Sequence, residues 1–142
     1  MNMQLSKTPI GLDGVPAAET VLSHVDGERG ELIIAGERVG DLARKTGFEG
    51  VTARLWSGGT GQPVGEAAVR AALGAGRERA FARLPDLLGI TRGLSIVDGF
   101  RAAVAGLRAE AGLAHEATIV GAFPVIAGAL VQRAKGNDPI AP

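Results

Sequence analysis

Apolar positions along the chain change their spacing once. Before Gly36 they fall in two short β-prone runs, Val21-Leu22-Ser23-His24-Val25 and Glu31-Leu32-Ile33-Ile34, either side of Asp26-Gly27-Glu28-Arg29-Gly30. This pattern predicts a hairpin over about 21–34, with Gly27 and Gly30 free to take positive φ in the turn. Residues 1–20, punctuated by Gly11, Gly14 and Pro16, read as an irregular lead-in. Beyond Gly36 the apolar residues recur at helical spacing, and helices are expected from about 41 to 135. A short one covers Asp41 to Thr46, and a second runs from Phe48 to Trp56 until Ser57-Gly58-Gly59 stops it. The third runs from about Val64 to Phe81, with Val69, Ala72, Leu73, Gly76 and Ala80 on one face. Gly74 and Gly76 weaken it by up to about 1 kcal/mol each relative to Ala, and Pro85 marks a break. The fourth opens on Ser95 and Asp98, the spacing of a capping box, lays Ile96, Phe100, Val104 and Leu107 along a stripe, and ends by Gly112. The fifth, about Glu116 to Lys135, is apolar on nearly all sides from Ala117 to Val131, as a helix inside a larger core would be. Pro124 should kink it, and Gly136-Asn137-Asp138-Pro139 forms a turn. The expected fold class is mainly α with one small β-hairpin near the start.

Composition limits how such a core holds together. Of the 142 residues 46% are hydrophobic but only 4% aromatic, so the core is built from Ala, Leu, Val and Ile. At about 25 cal/mol per Å² of apolar area buried, small side chains contribute little each, and partner surface or further chain is expected to complete the core. Fifteen basic residues balance fifteen acidic ones, which argues against a nucleic-acid partner that needs a clustered positive surface. The start lacks a signal-peptide layout. The apolar run Ala117–Val131 is shorter than the ~18–20 residues that cross a bilayer. A cytoplasmic protein with no membrane partner is expected.

Candidate chemistry is sparse. There is no Cys, which removes disulfides, thiolate zinc sites and Cys nucleophiles. His24 lies on a hairpin strand and His115 at a helix start, neither with a His or Cys at metal-ligand spacing. The run from Gly58 to Gly65 precedes a helix as a phosphate loop would, but no Lys-Ser/Thr follows and the G-x-G-x-x-G spacing is absent, so an interhelical loop is the better reading. Asp26 and Glu28 are turn residues. Glu19 is either a buried partner for an Arg or, the better reading, a solvated loop carboxylate. Ser23, Ser57 and Ser95 lack the context of a nucleophile elbow. The residues taken alone assign no catalytic and no metal-binding position, and leave cofactor-binding positions unknown.

Several stretches nevertheless resemble the citrate synthase family, in that family's order. Gly11-Leu12-Asp13-Gly14-Val15, followed by Ala17-Ala18-Glu19-Thr20, is similar to its G-L-[ED]-G-V opening. Val25-Asp26-Gly27 through Gly30 and Leu32 to Ile34-Ala35-Gly36 resembles its hairpin, I-D-G-x-x-G-x-L-x-Y-x-G, with Ile34 where Tyr is common. Asp41-Leu42-Ala43 matches a D-L-A helix start, Arg54-Leu55-Trp56-Ser57-Gly58 an L-L-x-x-G helix end, and Leu84-Pro85 an L-P step. Val97-Asp98-Gly99-Phe100-Arg101, with Val104 and Leu107, looks like its M-D-x-L-R-x-x-V-S-x-L helix, and 117–142 is loosely similar to the next one.

The resemblance implies a helical acyltransferase, usually a homodimer, that condenses acetyl-CoA or a related acyl-CoA with oxaloacetate. In that family a carboxylate removes a proton from the acyl methyl group, one His stabilises the enol, and another His with Arg residues holds oxaloacetate. Those histidines lie in G-x-L-H-G-G-like and G-x-G-H-R-like segments, and this sequence has neither. Residues 1–142 are therefore expected to be an N-terminal, large-domain portion of a citrate or 2-methylcitrate synthase that stops before the catalytic region and is inactive alone. Acyl-CoA is then a substrate of the complete enzyme and no cofactor is tightly bound. The expected partner is a second copy or a C-terminal synthase portion. The other reading is a non-catalytic helical docking or dimerisation module.

Overall fold

The computed structural model describes residues 20–108 and 114–142, so the Gly11-Leu12-Asp13-Gly14-Val15 segment, Glu19 and Gly112 lie outside the described residues. The chain is mainly α, with a small antiparallel sheet near its start. Strands β1 (Ser23–Asp26) and β2 (Glu31–Ile34) form the expected hairpin, with Ser23 opposite Ile34 and Asp26 opposite Glu31. The Asp26 carboxylate closes the turn by accepting from the backbone N–H groups of Glu28 and Arg29 at 3.1 and 3.0 Å. Gly30 takes φ +65° there, whereas Gly27 is not among the positive-φ glycines.

A third strand, β3 (Glu37–Arg38), pairs with β2 across Ala35-Gly36 and was not foreseen. Both turn residues have positive φ, 48° and 81°, the sign pattern of a type I′ turn. Ala disguises this turn because the left-handed region ordinarily calls for Asn, Asp or Gly.

Six helices follow among the described residues, one more than the periodicity predicts. They are α1 (Val39–Lys45), α2 (Phe48–Thr60), α3 (Glu66–Ala82), α4 (Leu84–Gly89), α5 (Ile96–Ala105) and α6 (His115–Ala134). Helix α2 runs past the expected stop at Ser57-Gly58-Gly59 and ends where Gly61 turns left-handed, φ 69°, the ordinary glycine stop. The added helix, α4, starts at the expected break, where Pro85 occupies the first turn and loses no helical donor. Ser95 caps α5, accepting from the Asp98 N–H at 3.1 Å and donating its hydroxyl to the Asp98 carboxylate at 2.8 Å. That helix ends at Gly106 rather than near Gly112.

The two central helices are α3 and α6, which share the most extensive interhelical contact. Val69, Leu73, Gly76 and Ala80 are the buried line of α3, as the periodicity predicts. They face Ala117, Gly121 and neighbouring residues of α6 at very short range. A Cβ on Gly76 would lie 2.4 Å from the Ala117 carbonyl oxygen, and one on Gly121 would lie 2.8 Å from the Leu73 carbonyl oxygen. Two clusters flank this crossing. Leu87 and Ala103 join Ala80, Ala122, Ile126 and Leu130 on one side; Ala53 joins Val69 and Leu73 on the other, with Trp56 packed against them. Phe100 and Phe123 meet edge-to-face at 5.3 Å, tying α5 to α6.

Helix α6 has the expected length, shifted by one residue. It has 20 residues and a mean hydropathy of 1.5, long and apolar enough to cross a membrane by length and composition alone, and 39% of that window is buried within the protein. It continues as one helix through Pro124, which lies on the exposed side.

Substitution of the crossing glycines tests this arrangement. Gly76→Ala and Gly121→Ala are each expected to lower stability by about 1–3 kcal/mol, because a Cβ there meets backbone that cannot step aside. Gly74→Ala, whose Cβ meets nothing within 4 Å, is expected to raise it by about 0.5–1 kcal/mol. Urea denaturation of the three variants beside the parent checks both directions; a Gly76→Ala protein as stable as the parent would show that the helices do not cross this closely.

Candidate functional site

The histidines stand apart. His24 sits exposed on β1, opposite Ile33, and His115 is the exposed first residue of α6. Among the described residues no group of three or more His, Cys, Asp or Glu side chains gathers where a metal ion could be held. Ser23 lies exposed on β1, and Ser57 and Ser95 are engaged locally. Ser57 donates to the Ala53 carbonyl at 2.7 Å and accepts from the Val64 N–H at 2.9 Å, pinning the loop after α2. Ser95 is the cap of α5.

The glycine run that resembles a phosphate loop has a packing role instead. Gly58 and Gly59 are inside α2, and Leu22 from the start of the hairpin lies over them. A Cβ on Gly58 would come within 2.9 Å of the Leu22 side chain. The small residues thus let the hairpin lie close against the helix. The same junction leaves a hollow of about 510 Å³ lined by Leu22, Ala35, Arg54, Ser57 and Val64. Its one charged group, Arg54, pairs with Glu37 of β3. A second ion pair, Arg38 to Glu31 at 2.6 Å, links β3 back to β2.

Another concavity, about 300 Å³, lies between the α4–α5 turn and the C-terminal end of α6, lined by Arg92, Leu94, Ile96, Leu130 and Arg133; a third, about 410 Å³, is lined by Glu31, Arg38, Asp41 and Arg44, in which Arg38 pairs with Glu31 and Arg44 with Asp41. In the former, Arg133 is a positioning group. Its two terminal nitrogens donate to the carbonyl oxygens of Leu88 at 3.0 Å and Thr91 at 3.2 Å, 45 and 42 residues earlier in the chain. They add to bonds these carbonyls already accept, Leu88 from the Thr91 N–H at 3.2 Å and Thr91 from the Leu94 N–H at 3.3 Å. Thr91, fully buried, donates its own hydroxyl to the Leu88 carbonyl at 2.9 Å. Sequence reasoning missed this clamp. An Arg in the last turn of a helix is a visible signal, but its partners across forty residues are not. Among the described residues that line them, neither the hollow beside Leu22 nor the one beside Leu130 includes a carboxylate or imidazole.

Fold and side-chain geometry together define a helical scaffold with a small sheet, its polar groups spent on turns, caps and ion pairs. A family model described as citrate synthase, C-terminal domain, matches residues 11–142, and the chain belongs to the citrate synthase family. It is similar to a citrate synthase of Haloferax volcanii, with 45% identity over 56 residues, which is 39% of this chain and 14% of that relative. The matched segment therefore spans about a seventh of the relative's length. The match corrects the expected N-terminal placement, since the description is of a C-terminal domain. The order of short motifs identifies a family but carries no information on how its chain divides into domains.

The Arg133 clamp is open to a direct test. Arg133→Met keeps the stem but removes both hydrogen bonds, and is expected to cost about 1–3 kcal/mol through the loss of two bonds from a charged donor. Arg133→Lys, with one donor point instead of a fork, should recover part of that loss. Urea denaturation gives the stabilities, and faster amide exchange over residues 89–94 in Arg133→Met would locate the effect; unchanged exchange there would rule the clamp out.

Proposed function

We propose that this chain is part of a citrate synthase-type acyltransferase, an enzyme that joins the methyl carbon of acetyl-CoA, or the corresponding carbon of propionyl-CoA in the 2-methylcitrate form, to the keto carbon of oxaloacetate. The observation that carries the reading is the family match over 11–142. The chain is a structural part of that enzyme, within its large helical domain, and is inactive alone. The condensation needs a base for the acyl proton and a donor for the enol oxygen. Among the described residues His24 and His115 stand on separate elements, and no group of three or more His, Asp or Glu side chains gathers around either. The remaining part of the enzyme supplies the carboxylate and the histidines, and acyl-CoA and oxaloacetate bind there as substrates in the cytoplasm.

A second reading, a docking or dimerisation module, rests on a particular feature. Ile96 and Val97 of α5 and Phe123 and Val131 of α6 are exposed, Val97 at 68%. Exposed apolar side chains on two packed helices favour association.

The assay that tests the enzyme reading follows CoA release from acetyl-CoA, and from propionyl-CoA, with oxaloacetate. No turnover is expected from the 142 residues alone, and turnover is expected when they are mixed with a chain carrying the two His motifs. Turnover by the chain alone would overturn its inactivity, and a silent mixture would overturn the complementation. Light scattering across a concentration series is expected to show self-association that weakens in Val97→Glu with Phe123→Glu; a concentration-independent monomer would refute the module reading.

A further inference from the structure

We draw no further inference here: the strongest candidate, the cavity of about 300 Å³ at the α4–α5 turn lined by Arg92 and Arg133, carries nothing because it rests on the N-terminus of α5 beside two guanidinium groups, one exposed and the other engaged by the Leu88 and Thr91 carbonyls, with no second observation that points to a ligand.

Discussion

The structure depends on how closely α3 and α6 approach. At Gly76 and Gly121 the two backbones are near enough that a single added carbon would strike a main-chain atom. Close approach matters more here than in a core of large side chains. With 4% aromatic residues and a core rich in alanine, there is little side-chain volume to bridge a wide gap between helices. Protein interiors reach their density only if neighbouring atoms touch. A core of small residues therefore has to bring its backbones together, and glycine is the residue that permits it. The helix-propensity loss at Gly76 is the cost of that geometry, offset by the contacts that Val69, Leu73 and Ala80 make along the same face.

Around this crossing, polar groups fix the ends of elements. Asp26 closes the hairpin turn, Ser57 holds the loop after α2, Ser95 caps α5, and Arg133 reaches from the end of α6 to the end of α4. Most of these act within a few residues and set local shape. Arg133 differs because it joins segments far apart in sequence, so it couples the position of the α4–α5 turn to the docking of α6. The exposed ion pairs, such as Arg44 with Asp41 and Arg70 with Glu66, contribute little net stability, about 0–1 kcal/mol each.

Local signals in the sequence were legible and long-range ones were not. Asp-Gly between β-prone runs located the hairpin, the Ser95/Asp98 spacing located the start of α5, and the period of 3.6 identified the buried face of α3. The misses have physical causes. Ala35 hid a turn because alanine seldom takes positive φ. Gly58-Gly59 was read as a helix stop when it is a contact surface for Leu22, since glycine serves both uses and sequence does not distinguish them. Helix α4 was read only as the break at Pro85, because proline both interrupts one helix and suits the first turn of another. On α5, Phe100, Val104 and Leu107 of the predicted stripe pack against the core; the buried Gly99 and Ala103 were missed and Ile96 stands exposed, because an interface that selects small residues leaves a weak apolar signature. The Arg133 clamp was invisible because nothing local marks its partners.

Family membership and the absence of an assembled site among the described residues are compatible, because a fold and the chemistry grafted on it are separable. General acid–base catalysis needs a carboxylate or imidazole held away from bulk water within reach of the reacting atom. Here the carboxylates that are held at all are held by arginines or turn amides, in ion pairs and caps at the surface. Asp26, Glu31 and Glu37 stiffen a three-stranded sheet, and Asp98 stiffens a helix start. Groups committed to local structure cannot also shuttle protons without releasing what they hold.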